Sequence, residues 1–323
     1  MKHLALIIIL STYVLVTVWE VEPASDMKYP DYVDHIIPFL DNCKLDEYPT
    51  RWDKSENDMG HTRSPLKWHS ICLSDKAFGN ENVIPFLFSI GCLGLTYYLG
   101  YKIGGHEMVG SVAMLVMMFT NAFTRWDTSA TYDQSWSFFL LCSVSLLYVK
   151  PKWSWVSYIC SVLSKALSIL YIPMYLYHAK QVGQLKWALV SVVVIICIAV
   201  ILISTLGFMK GLAGGDIELN LDDFITGLWV WIPLFADDPI IMFVPVVLAW
   251  LAIQRIRNWS IPFVWVVGII LSVPIILGFT DQLVHPYRFV PMVSFVGIAV
   301  GMMVYYYYPK VKSLISNRLV KKP

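Results

Sequence analysis

A chain of 323 residues that is 57% hydrophobic and only 15% charged departs from the roughly 25% charge of an ordinary soluble domain. A net charge of +1 gives no basis for a nucleic-acid partner, and no polar stretch is long enough to fold into a separate catalytic domain. Thirteen Trp, 18 Tyr and 16 Phe in so apolar a chain predict an all-α, polytopic membrane protein with interfacial aromatics, whose chemistry falls to loops and helix ends.

Apolar runs fall at 4–19, 83–101, 107–124, 135–149, 154–178, 186–206, 239–254, 260–279 and 288–307. About 20 residues cross a bilayer as a helix, so these runs predict about 9–11 transmembrane or half-membrane helices over residues 1–308, followed by a basic tail, 309–323. The first run follows Lys2 but precedes no small-x-small cleavage site, and reads as a retained helix rather than a signal peptide.

Charge orients the runs. The segment 20–82 holds 13 acidic and 7 basic residues and reads as external, as does 207–238, with six acidic residues against one Lys. Lys102, Lys150, Lys152, Arg255, Arg257 and the tail read as cytoplasmic. These assignments agree only if run 154–178, basic at both ends, does not cross. It is therefore expected to be two half-helices that rise and return, with the break at Ser164-Lys165. A Lys so deep in an apolar run is costly and by default functional. Snorkelling is the weaker reading, because the nearest end of the run is over ten residues away.

The segment 20–82 is rich in proline. Ile36–Leu40 is expected to lie in the interface as a short amphipathic helix, and Phe224–Phe235 to do the same on the external face. Asp222 and Asp223 read as a solvated loop face, and Asp127 as an ordinary interfacial charge. Cys92, Cys142, Cys160 and Cys197 sit in apolar runs and read as small core residues. Cys43 and Cys72 leave two readings open: a bridge, if their loop faces an oxidising compartment, or two unrelated thiols. His61 and His69 are eight residues apart in an irregular stretch, which argues against a metal site. No cofactor is assigned, and a divalent cation remains an alternative.

Several short elements recur in a particular order. Asp31-Tyr32-Val33-Asp34 follows the first run. Arg63-Ser64-Pro65-Leu66-Lys67-Trp68 and Phe78-Gly79 precede the second. Thr131-Tyr132-Asp133 follows the third, Ser164-Lys165-Ala166 interrupts the fifth, and Arg288-Phe289-Val290-Pro291 opens the last. This order resembles the GT-C glycosyltransferases related to protein O-mannosyltransferases and lipid A aminoarabinose transferases. Those proteins carry an acidic pair, a His-Pro-Pro-Leu-aromatic stretch, a Phe-Gly and a small-polar–Asp element. A Thr-Lys-Gly in a broken helix and an Arg-Tyr-hydrophobic-hydrophobic-Pro element follow. Here Tyr32 stands where the second acid is usual, with Asp34 as the nearby substitute, and Arg63 replaces the His.

The resemblance implies transfer of a sugar from a polyprenyl-phosphate donor to an acceptor hydroxyl on a protein, a glycan or a lipid, at the external membrane face. A carboxylate within reach of that hydroxyl is a suitable general base. Asp31 is the first choice by its motif match, and Asp34 the second. The leaving phosphate needs positive charge, which Lys165 and Arg288 supply with help from His285; Arg63 is placed with the substrate. Asp133 has two readings, a role in the active site or an N-cap for the following helix, and the resemblance favours the first. Alternatives are a transporter binding an anion at the broken helix, although paired halves are lacking, and a scaffold subunit, which leaves Lys165 and Asp133 without a purpose.

Overall fold

The computed structural model describes residues 3–20, 36–43, 65–131, 133–206, 221–229, 238–279 and 286–320. Among them there are helices and no strands. In chain order they are α1 (Leu4–Glu20), α2 (Ile37–Asn42), α3 (Pro65–Phe78), α4 (Val83–Gly104), α5 (Glu107–Met118), α6 (Asn121–Thr124) and α7 (Ser135–Val149). Next come α8 (Ser154–Ser164), a 3₁₀ segment (Ala166–Tyr171), α9 (Ile172–Gln181), α10 (Leu185–Leu206) and α11 (Leu221–Trp229). Last are α12 (Pro239–Met242), α13 (Val244–Gln254), α14 (Ser260–Phe279), a 3₁₀ turn (Pro286–Phe289) and α15 (Val290–Val320).

Two of these, Val83–Gly104 and the Val290–Pro309 part of α15, are long and apolar enough to cross a membrane. Helix α15 continues past residue 308 and carries most of the basic tail, with Pro309 inside it. Two expected runs are interrupted. The third ends at Met118 and restarts as α6, and the seventh breaks at Phe243.

The centre of the bundle is α4, α5 and α15. Helix α4 stops at Gly105, whose φ of 75° is left-handed and whose N–H reaches the Tyr101 carbonyl. Helix α5 starts at once, because the His106 ring accepts the Met108 N–H at 3.1 Å and Glu107 suits the first turn. Glycine lets the three backbones approach. A Cβ at Gly110 would lie 2.4 Å from the Tyr97 carbonyl oxygen, and one at Gly297 would lie 2.6 Å from that of Ala113.

The expected break is present. Helix α8 ends at Ser164, and Lys165 is extended, at φ −157° and ψ 119°. The chain then doubles back. Tyr158 and Tyr175 are 17 positions apart, about 25 Å along one helix, yet their rings stack with centroids 4.4 Å apart. Serine hydroxyls and a tyrosine satisfy the turn. Ser161 Oγ lies 2.7 Å from Ser168 Oγ and 2.7 Å from the Trp136 carbonyl oxygen, to which it donates, and Tyr158 donates to the Ser168 carbonyl at 2.6 Å.

The returning arm is pinned by His178, which is fully buried. Trp265 Nε1, a donor only, lies 3.1 Å from its Nδ1, so the ring proton sits on Nε2, 2.8 Å from the Tyr148 hydroxyl. Trp265 in turn stacks on Phe295 at 4.6 Å. One neutral imidazole thus joins α7, α9, α14 and, through Trp265, α15.

These contacts give the bundle two unlike ends. One gathers the α4–α5 and α13–α14 turns, where Asn258 donates to the Ile103 carbonyl at 2.9 Å and His106 stacks on Tyr305 at 4.5 Å. Lys150, Lys152, Lys180, Lys186, Arg255 and Arg257 lie at helix ends on this side. The other end holds residues 119–134, Asp238 and the 286–289 turn. Between them lies a large apolar core, in which Ser89, Ser143, Ser161, Ser168, Ser191 and Ser294 are also fully buried, while Ile7, Leu15, Val193, Val200, Ile253 and Leu271 face outward.

Because the Gly297 and Gly110 positions admit no side chain without moving backbone, Gly297→Val is expected to lower the thermal unfolding midpoint by several degrees, in line with about 1–3 kcal/mol for overpacking. An unchanged midpoint would mean that α5 and α15 do not meet at this point.

Candidate functional site

The site is built where the second end of the bundle meets a small separate core. Helices α2 and α3 pack through Ile36, Trp68 and Ile71 on Ala130, with Phe39 against Trp68 at 4.8 Å. Cys43 and Cys72 form a disulfide between the two helices, with Cα atoms 6.0 Å apart. Thus Ile36–Leu40 packs on α3, and Cys72 lies within a helix. Helix α3 ends at Gly79, whose φ of +66° allows its N–H to reach the Asp75 carbonyl at 2.7 Å. That conformation gives Phe78-Gly79 a local reason. Ser74 then links α3 to α4, donating to the Asn80 carbonyl at 2.7 Å and accepting the Ile84 N–H at 3.0 Å.

This arrangement places Lys67 over the loop after α6. Its Nζ donates to the Thr131 carbonyl and lies 5.2 Å from the Trp68 ring centroid. Asp133, only 3% exposed, follows two residues later. Its carboxylate lies close to Ser135 at the start of α7 and feels both Lys67 and Lys165. Its Oδ2 has no hydrogen-bond partner among the described residues. The N-cap position of α7 is taken by Gln134, with no side-chain cap, so Asp133 is not the cap of that helix. Burial holds the carboxyl above its ordinary range, and Lys67 is the strongest influence in the other direction.

Lys165, half-buried at the tip of the α8–α9 hairpin, has its Nζ 5.9 Å from the Trp136 ring centroid. It is within electrostatic range of Arg288, Lys67 and Asp133. Arg288 is 8% exposed, and its carbonyl accepts from the Tyr171 hydroxyl at 3.3 Å. The 3₁₀ segment after Lys165 and the turn before α15 are thus tied together. Among the described residues, Lys67, Lys165 and Arg288 thus gather near Asp133 at one end of the bundle.

Two further acids are buried at this end, Asp127 against expectation. Asp127 is buried, not an interfacial charge. Its Oδ2 accepts the Tyr13 hydroxyl at 2.6 Å, and its carbonyl accepts Ser89 Oγ at 2.6 Å, tying α1 and α4 to the loop. Asp238 is also buried. It accepts the Ile241 N–H of α12 and the Ala122 N–H of α6, each at 3.4 Å. Asp222 is exposed, as expected.

Of the residues singled out by sequence, Asp133, Lys165 and Arg288 come together, and Cys43 and Cys72 are bridged. Asp31, Asp34, Arg63 and His285 lie outside the described residues. Lys67 belongs to the cluster and was not picked out by sequence reasoning; its place in the quoted Pro65–Trp68 stretch was the available signal. Among the described residues no group of three or more His, Cys, Asp or Glu could hold a metal. The chain matches no protein-family model, no curated protein and no solved structure.

The buried loop acids make stability depend on pH. Burial pushes the Asp127 carboxyl up to about 6, against the opposing pull of the Tyr13 hydroxyl and two backbone N–H groups. A raised folded value favours the protonated form. Its contribution is therefore full below the unfolded value of about 4, is lost as pH rises to about 6, and is constant beyond. Thermal unfolding midpoints from pH 4 to 7.5 are expected to decline more shallowly in Asp127→Asn than in wild type, with Asp133 giving the residual slope. Identical profiles for the two proteins would remove Asp127 as the source.

Proposed function

We propose that the chain is a polytopic integral-membrane glycosyltransferase of the GT-C type, moving a sugar from a polyprenyl-phosphate carrier to an acceptor hydroxyl at the external membrane face. The observation that carries this reading is the meeting of Lys67, Lys165 and Arg288 around Asp133, at the end of the bundle away from the other basic helix ends. Cationic side chains gathered at one place suit an anionic group. A lipid-linked phosphate has that charge, and Arg binds it bidentately.

The membrane part of the reading rests on the apolar outer face of the bundle and the buried serines between its helices. Serine-rich interfaces and outward-facing Leu, Ile and Val suit a hydrocarbon solvent, in which packing and small residues replace hydrophobic burial. A hairpin whose arms are 11 and 10 residues long suits a half-membrane excursion, about 16 Å deep. The basic helix ends are then cytoplasmic, by the charge bias of membrane insertion.

In this reaction the acceptor oxygen forms a bond to the anomeric carbon as the carbon–phosphate oxygen bond breaks. The electron pair of that bond leaves on the phosphate, and the acceptor proton passes to a carboxylate. Asp31 is the first candidate for that base by its motif, with Asp34 beside it in sequence. Asp133 orients Lys67 and the acceptor. Lys165 and Arg288 meet the developing charge on the phosphate, with His285 as an additional donor. Arg63 helps to hold substrate. The acceptor is a protein, a glycan or a lipid.

Lys165→Met, Arg288→Met and Asp31→Asn are each expected to reduce sugar transfer from a polyprenyl-phosphate donor about 10²–10³-fold, with normal membrane insertion. Asp133→Asn should reduce it by a smaller factor. Wild-type rates in the first three would remove the glycosyl-transfer reading. The topology is tested separately. Single cysteines replacing Lys152 and Arg257 should react with an impermeant maleimide only from the cytoplasmic side, and one replacing Lys76 only from outside. Labelling of all three from one side would exclude the polytopic arrangement.

A further inference from the structure

The first turn of α7 and the loop before it hold a concentration of unpaired buried polar groups. Thr131 Oγ1, both amide atoms of Gln134, Trp136 Nε1 and Ser137 Oγ have no hydrogen-bond partner among the described residues. Gln134 and Ser137 are fully buried. Most buried hydroxyls elsewhere in the bundle are satisfied: Ser143, Ser157 and Ser161 donate to backbone carbonyls at 2.7–2.8 Å, and Thr96 lies 3.0 Å from Ser294 Oγ. Unpaired buried polar groups cost stability, so a local group of them needs an explanation.

These side chains share three properties. All are neutral. They combine donors, the indole N–H and the amide NH₂, with acceptors, the amide oxygen and the hydroxyls. They also adjoin the cation cluster, because Trp136 is the ring beneath Lys165, and Gln134 and Ser137 stand one and four residues after Asp133. An anion would be held by Lys67, Lys165 and Arg288. The neutral groups suit what is attached to it.

We propose that Thr131, Gln134 and Ser137 form a subsite that reads the hydroxyl groups of the sugar ring carried on the lipid phosphate, with Gln134 as its main discriminator. This rests on the glycosyl-transfer reading and adds where donor selectivity is set. The amide of Gln134 both donates and accepts, which matches neighbouring hydroxyls on one ring. The subsite is neutral where the phosphate site is charged, so the two parts of the donor are recognised by different chemistry.

The test compares binding of bare polyprenyl phosphate and of polyprenyl phosphate bearing a hexose, using the full chain in lipid nanodiscs. Wild type is expected to prefer the hexosyl carrier by about tenfold, as two or more added hydrogen bonds imply. Gln134→Met and Ser137→Ala should each cut that preference about fivefold and leave binding of the bare carrier unchanged. Gln134→Met should also unfold at the same or a higher temperature than wild type without ligand, because it removes an unsatisfied amide at nearly constant volume. An unchanged preference in both variants, with bare-carrier binding intact, would overturn the subsite and leave water as its occupant. A lower unfolding temperature for Gln134→Met would overturn it too, by making the amide structural. If wild type fails to bind even the bare carrier, the glycosyl-transfer reading falls, and the subsite with it.

Discussion

The candidate site depends on a helix that stops. Helix α8 ends at Ser164, and the chain turns back through a 3₁₀ segment, within a bundle whose outer surface is apolar. Interrupting a helix leaves backbone groups unpaired, and at a turn as buried as Ser161 and Ser168 the protein itself must satisfy them. Ser161 and Tyr158 do this by bonding to the Ser168 hydroxyl and carbonyl and to the Trp136 carbonyl. Had the helix continued through Lys165, its residues would have climbed past Trp136 and Arg288. Because it turns there, the ammonium stays beside them. The two serines and one tyrosine around the turn therefore have as much to do with the site as the cations themselves.

Charge balance is the second constraint. Lys67, Lys165 and Arg288 face one another as well as Asp133, and like charges repel strongly where little water remains. Such a group persists because other interactions fix its members. Lys67 is held by the Thr131 carbonyl and by the disulfide-linked α2–α3 pair, and Arg288 by the turn that Tyr171 anchors. Under the glycosyl-transfer reading, a cluster held in this way is already assembled when the donor phosphate arrives.

The sequence made some of this legible and hid the rest for identifiable reasons. The break at Lys165 could be read because its two basic flanks conflicted with a single crossing, and a charge inside an apolar run has few explanations. The hairpin geometry, with Tyr158 on Tyr175, agrees with that reading. Asp133 stood out because it lies between apolar runs. Lys67 did not, because its position is set by packing among Ile36, Trp68, Ile71 and Ala130, which spacing does not encode. Asp127 was misread because its partner Tyr13 lies 114 positions away in another helix. His178 was invisible for the same reason, with partners 30 and 87 positions distant. Local polarity gave the places where helices end, while the identity of the pairs came only from tertiary contacts.

The α2–α3 unit and the bundle beneath it are stabilised in different ways, and the site lies at their seam. The small unit resembles a secreted mini-domain, with an aromatic-aliphatic core too small to stand alone and a disulfide that limits its unfolded chain. The bundle instead has a large apolar core with buried serines among it, and further apolar residues on its outer face. Under the glycosyl-transfer reading, a donor with a long hydrocarbon tail must reach the cations from the lipid side, while a hydrophilic acceptor comes from water. A site buried wholly in either layer would exclude one substrate. Helix α11, with Leu221, Ile225 and Trp229 exposed at intervals of four, packs along α14 and offers an apolar edge of the kind that lies at a bilayer surface. The seam satisfies both requirements: Lys165 and Arg288 belong to the bundle, Lys67 to the covering unit, and Asp133 to the loop that joins them.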